Sequence, residues 1–171
     1  NIATYRGAPS SLLYGVATAP YFYLGSDLVG STTATPDQIL QSLESNLLTQ
    51  QEPYFAAGVV QQGAFVRTAY NGANYSGASH KALADYYGLK SLSYEGGNDL
   101  GQSASNIAAK IAANRDPRMA AMIKSELAQW FGCGNDLFMY FSLSSAWDRY
   151  GYWGLTNDPT DLSTGKYVAA R

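Results

Sequence analysis

The chain carries one cysteine and one histidine in 171 residues. Cys133 has no second thiol to pair with, which excludes an intrachain disulfide and leaves the compartment open. Cys133 and His80 do not supply the three or four ligands at motif spacing that a zinc centre needs. Nor does the sequence bring them together as a nucleophile and its base; His80 reads as a surface residue near a helix start. Charge is scarce too. Asp, Glu, Lys and Arg make up 14% of the chain, against ~25% in ordinary globular domains, and the net charge is only -2. That excludes the disordered class and gives no electrostatic reason to expect nucleic acid or an anionic membrane as partner. No apolar run reaches the ~18 residues of a membrane-spanning helix. The first residues lack a basic-then-apolar export signal, so an exported form is expected to have lost its signal already. No internal repeat or low-complexity block is present.

What the chain has is apolar and aromatic mass. Hydrophobic residues account for 46%, with fourteen Tyr and three Trp. This length and composition predict a single domain over residues 1–171 with a real core. Tyr and Trp join an apolar face to a polar tip, which suits sugar rings and wet interfaces, and equally suits core packing with a satisfied hydroxyl.

The pattern alternates strands and helices. Leu12 to Ala17 reads as a buried strand, and Ala19-Pro20-Tyr21-Phe22-Tyr23 leaves it, because proline cannot continue a central ladder. Thr35-Pro36-Asp37-Gln38 predicts a helix start with a capping box, followed by Ile39, Leu43 and Leu47 on one face to about Thr49. Tyr54 to Tyr70 reads as a second helical stretch weakened by Gly58 and Gly63, and Asn71 to Ser79 as a loop. Lys81 to Tyr87 reads as a short helix stopped by Gly88. Leu89 to Tyr94 is a strand. Ser103 to Ala113 is a helix, and Asp116-Pro117 opens another whose buried stripe holds Met119, Met122, Ile123, Leu127 and Trp130 or Phe131. Leu137 to Leu143 is a near-continuous apolar strand of the buried parallel kind. The order predicts an α/β fold with a parallel sheet and right-handed crossovers. Three strands are too few to close a barrel.

Tyr94-Glu95-Gly96-Gly97 is the candidate site. One carboxylate stands at the C-terminal end of a strand, and two glycines let the backbone turn and a ligand approach. Parallel α/β proteins place chemistry there. The same four residues also suit a plain turn with a solvated acid.

These residues resemble the C-terminal part of clan A retaining glycoside hydrolases, which are (β/α) barrels. The likeness rests on Tyr94-Glu95-Gly96-Gly97 at the place of strand seven. Leu13 to Tyr23 resembles strand six with its loop, and Leu137 to Trp147 resembles strand eight. Tyr150-Gly151-Tyr152-Trp153-Gly154-Leu155 is similar to the segment that follows strand eight. It covers most of the chain loosely. The resemblance implies a partial TIM-type barrel, strands six to eight with their helices. It makes Glu95 the nucleophile, with Tyr21 or Tyr23 beside it and Trp147 as the sugar platform at the end of strand eight. Tyr94 and Trp153 join the implied substrate-binding set, and no cofactor or metal is implied. Strands one to five of that family are missing, as is its Asn-Glu pair, since no Asn-Glu dipeptide occurs in the chain.

Retaining hydrolysis needs two carboxyl groups ~5–5.5 Å apart, one attacking and one giving a proton. Glu95 fits the first role. Asp27, Asp99 and Asp148 lie near strand ends and are open for the second, although turns select Asp for backbone bonding alone. The expected function is hydrolysis of a β-linked poly- or oligosaccharide by a secreted protein. The alternative is a non-catalytic carbohydrate-binding or assembly protein derived from such a barrel. The expected partners are carbohydrate, and either the absent N-terminal barrel portion or a second copy of the chain.

Overall fold

The structure is a computed structural model that describes residues 6–48, 59–61, 64–66, 69–70, 73–74 and 76–171. It is mixed α/β with small parallel sheets, and it is not a closed barrel.

Two parallel ladders carry the centre. Strand β1 (Gly15–Thr18) pairs in parallel with β7 (Lys90–Ser93), in the register Gly15 to Lys90 and Thr18 to Ser93. After the Ala19-Pro20 jog, β2 (Tyr21–Tyr23) pairs in parallel with β8 (Gly97–Asp99), Tyr21 opposite Gly97. The expected third strand is reduced to one parallel bridge, Ser93 to Phe138. Its flanking hydrogen bonds run from Ser93 N to Leu137 O and from Met139 N to Ser93 O, at 2.9 and 3.2 Å. The segment therefore lies beside β7 in parallel sense, without forming a full ladder.

The helix starts follow local chemistry. Thr35 and Gln38 form a reciprocal capping box at the head of α2 (Pro36–Asn46), with Pro36 in its first turn. Each of those bonds satisfies a backbone N–H that the helix leaves without a partner. Asp116 accepts from Arg118 N at the start of α5 (Pro117–Gly132). Between them lie α3 (Ser76–Tyr86) and α4 (Ile107–Arg115), and α6 (Gly165–Ala170) closes the chain. A short α1 (Ser26–Val29) precedes α2.

Two expectations are corrected. The predicted helical stretch Tyr54 to Tyr70 contains an antiparallel pair, β3 (Val59–Gln61) with β4 (Ala64–Val66), and then β5 (Ala69–Tyr70), which pairs with β6 (Ala73–Asn74) inside the stretch Asn71 to Ser79 expected as a loop. The rest of that stretch lies outside the described residues. The β-branched and aromatic pairs Val59-Val60 and Phe65-Val66 favour strands, and that preference prevails over the helical spacing. The helix expected from Lys81 begins earlier, at Ser76.

The core joins β2 to the helices. Phe22, Ile39, Leu43, Leu100, Met119 and Ile123 are fully buried together, and Trp147, Tyr152 and Leu155 from the last loop complete the cluster. Among the described residues no helix is long and apolar enough to cross a membrane.

Candidate functional site

Glu95 sits in the break between the two ladders. Tyr94 N donates to Thr18 O at 3.0 Å and closes the first ladder, while Gly97 N reaches Pro20 O at 3.4 Å and opens the second. The Ser93 hydroxyl donates to Glu95 O at 2.9 Å and fixes the backbone that presents the carboxylate. The two glycines are needed for space. A Cβ on Gly96 would fall 2.8 Å from the Phe138 ring, and one on Gly97, at φ +119°, would fall 2.5 Å from the Tyr140 ring. The turn after the acid is thus seated on two aromatic rings from the 137–141 segment.

Tyr21 gathers the site. Burial raises its hydroxyl pKa, and the nearby carboxylates of Glu95 and Asp99 push it further, with Tyr23 and Tyr94 also within range. A phenol held neutral in this way keeps its proton and remains a hydrogen-bond donor. The Tyr21 and Tyr23 rings lie 6.0 Å apart, and Tyr94 is 55% exposed.

Asp99 is the carboxyl that joins this group. Burial raises its pKa, opposed by hydrogen bonds from Gly101 N and from the Trp153 indole; the Gly101 bond is 2.7 Å. Trp153 is in turn set edge-on to Phe141, with ring centroids 5.6 Å apart at 71°. Asp27 is exposed in the first turn of α1, and Asp148 accepts from Tyr150 N at 2.8 Å in a tight turn. Neither is among the groups that act on Tyr21.

Trp147, the expected platform, lies elsewhere. It is buried in the core, its indole donates to Gly154 O at 3.0 Å, and Arg115 and Lys166 cover its ring. A ring so enclosed has no face to offer a sugar. The aromatic at the end of the third segment is Phe141, which is 40% exposed.

Several supporting groups gave little sign in the sequence. Asn98 is fully buried and bonded to Asn114 Oδ1 and Tyr152 O. Lys166, on α6, donates to Asn114 Oδ1, Tyr152 O and Trp153 O at 3.4, 3.1 and 3.1 Å. Those three acceptors match its three N–H donors, while burial pulls its pKa well below the ordinary lysine value. It ties the carbonyl of Trp153 to the core behind the site. Glu126, on α5, is fully buried, and its carboxylate finds no hydrogen-bond partner among the described residues. Burial raises its pKa strongly, and it lies near enough to raise that of the Tyr140 hydroxyl as well.

No protein-family model matches the chain, and no curated protein and no solved structure matches it either.

Proposed function

We propose that the chain is the nucleophile-bearing part of a (β/α) barrel of the retaining glycoside hydrolase kind, acting on a β-linked oligo- or polysaccharide. The observation that carries this reading is the pair of carboxyl groups, Glu95 just past β7 and Asp99 at the end of β8, that lie near enough to the Tyr21 hydroxyl to raise its pKa. Both stand at the C-terminal ends of parallel strands, where such folds place chemistry. Tyr94, Tyr23, Phe141 and Trp153 give the surroundings aromatic faces for the C–H side of a pyranose.

In this reading Glu95 attacks the anomeric carbon. The bond from that carbon to the leaving oxygen breaks, and Asp99 gives the leaving oxygen its proton. A glycosyl ester forms on Glu95. Asp99, now ionised, takes a proton from water, and the water oxygen displaces Glu95 from the sugar. Burial raises the Asp99 pKa, the direction a general acid needs, and the Tyr21 hydroxyl lies near enough to Glu95 to feel its charge.

One observation favours a second reading, carbohydrate binding without turnover. Asp99 already receives hydrogen bonds from Gly101 and Trp153, as a carboxyl tied into a turn does. Glu95→Gln, assayed on a panel of chromogenic β-glycosides alongside direct binding of the unlabelled sugars, separates the two. Loss of turnover by about a thousandfold or more with binding retained supports hydrolysis, given that an essential group acts chiefly in the transition state. Binding without turnover in either form supports the second reading. Unchanged turnover removes Glu95 from the chemistry.

A further inference from the structure

We propose that Glu126, Tyr140 and Asn98 form a proton-operated latch: with Glu126 neutral the Tyr140 hydroxyl holds Asn98, and with Glu126 ionised the hydroxyl turns to the carboxylate and releases β8. Glu126 lies on the buried stripe of α5 with Met119, Met122, Ile123 and Trp130, a single face of the helix by the three- and four-residue spacing. Packing alone asks for an apolar side chain there. Instead both carboxyl oxygens are buried, with no hydrogen-bond partner among the described residues, and α5 packs against β8.

The charge of Glu126 acts on the Tyr140 hydroxyl, and that hydroxyl is committed elsewhere. It donates to Asn98 Oδ1 at 2.6 Å and accepts from Asn98 N at 3.3 Å. A phenol has one proton to give, so it cannot serve Asn98 Oδ1 and Glu126 together. The two acceptors compete. A neutral carboxyl competes weakly. A carboxylate competes strongly, since a hydrogen bond to an ionised acceptor is about twice as strong as a neutral one. One proton on Glu126 thus decides which acceptor the hydroxyl serves.

No other charge intervenes. Burial is what acts on Glu126 itself. Among the elements packed against α5, Lys166 of α6 is bonded to Asn114 Oδ1, Tyr152 O and Trp153 O, and Lys110 of α4 donates to Val29 O at 2.8 Å. Arg115 of α4 lies over the Trp147 ring. On α2, Asp37 is paired with Arg118 and Glu44 is exposed. Asp99 of β8 accepts from Gly101 N. On α5, Arg118 and Lys124 face solvent. Asn98 stands between Gly97 and Asp99 in β8, so its release loosens the strand end that carries Asp99.

The test is amide hydrogen exchange of the purified chain, followed by NMR from pH 5 to 9 and expressed as protection relative to the intrinsic rate at each pH. It is run on the wild type, Glu126→Gln and Tyr140→Phe. The Asn98 amide reads the latch, and the amide of Leu43, buried in the middle of α2, reads global opening. In the wild type the ratio of Asn98 to Leu43 protection is expected to fall by roughly fivefold or more as pH rises, the weight of one hydrogen bond. In Glu126→Gln the ratio is expected to stay at its acid value throughout, and in Tyr140→Phe to be low at every pH. The carboxyl carbon shift of Glu126 in the labelled wild type gives a readout that needs no variant; its midpoint is expected to coincide with that of the Asn98 ratio. In Tyr140→Phe that midpoint is expected to move upward, because the ionised form has lost its donor. A wild-type ratio that does not change with pH overturns the proposal. So does a fall that persists in Glu126→Gln, or an Asn98 midpoint apart from that of the Glu126 carboxyl. Glycoside turnover does not enter these readouts, so they stand or fall apart from the catalytic reading.

Discussion

The Tyr140 hydroxyl donates to Asn98 Oδ1 at 2.6 Å and accepts from Asn98 N at 3.3 Å. This double contact clamps β8 onto the 137–141 segment, and the Tyr140 ring lies where a side chain at Gly97 would have to go. Gly97→Ala is therefore expected to destabilise the protein by about 1–3 kcal/mol through overpacking, with positive-φ strain in addition. Urea unfolding measures it. Because Gly97 adjoins the Glu95 turn, sugar binding is expected to weaken with it.

Glu126 presents the opposite case, a buried acid whose removal should help. Its folded pKa is raised by burial, so the folded state holds the proton more tightly than the unfolded chain does. That contribution is fully present below the ordinary glutamate value and is lost as pH rises through the raised one. Glu126→Met is expected to increase stability at pH 8 by about 1–3 kcal/mol, the cost of one unsatisfied buried polar group. It is also expected to flatten the fall in stability between pH 5 and 8. Thermal unfolding over that range checks both.

Asp116 behaves in the reverse sense. The Arg118 side-chain and backbone N–H groups lower its carboxyl pKa to about 2. Its contribution is present above the ordinary aspartate value and is lost as pH falls through about 2. Asp116→Ala, which removes the cap of α5, is expected to cost about 1 kcal/mol at neutral pH. The deficit relative to wild type should shrink in acid, as measured by denaturant midpoints at pH 7 and pH 3.

Much of this fold was legible where the cause is local. The caps at Thr35 and Asp116 each depend on a few adjacent residues, and both stand where the sequence placed them. The region from Val59 to Val66 was misread. Val59-Val60 and Phe65-Val66 favour strands, and the glycine between them, Gly63, is a hairpin signal that competes with the helical spacing. Leu137 to Leu143 looked like a strand buried on both faces, yet Leu137, Met139, Phe141 and Leu143 are open. An apolar run reports that a face needs cover, not where the cover comes from. Around Glu95, the strand end and the glycine turn were readable because they are adjacent in sequence. Lys166 was not, since a single lysine in a short terminal helix reads as a solvated one. Nor was the burial of Trp147, which its spacing alone left open.

Lys166 holds the segment that carries Trp153. Lys166→Met keeps the chain length and removes the three donors. It is expected to cost about 1.5–3 kcal/mol, as for a hydrogen-bonded charged group, and to shift the tryptophan emission as the Trp153 carbonyl is released. A stability and spectrum identical to wild type would show that this tie has no structural weight.

If Asp99 gives the proton, turnover falls on the alkaline side as Asp99 ionises. Asp99→Asn should remove that limb from the pH profile of kcat/KM. It should slow glycosides with poor leaving groups by roughly 10²–10⁴-fold, the usual contribution of general acid catalysis, and spare those whose leaving group departs without a proton. The pH–rate profiles of the two proteins, recorded with both kinds of substrate, decide this.

The most direct test is covalent trapping. The protein is incubated with a β-glycoside that carries a 2-fluoro substituent and an activated leaving group, and the peptide spanning Tyr94 to Gly97 is then weighed. One fluorosugar attached to Glu95, absent in Glu95→Gln, is the predicted result. A label on another residue, or sugar that binds without ever forming the ester, contradicts it.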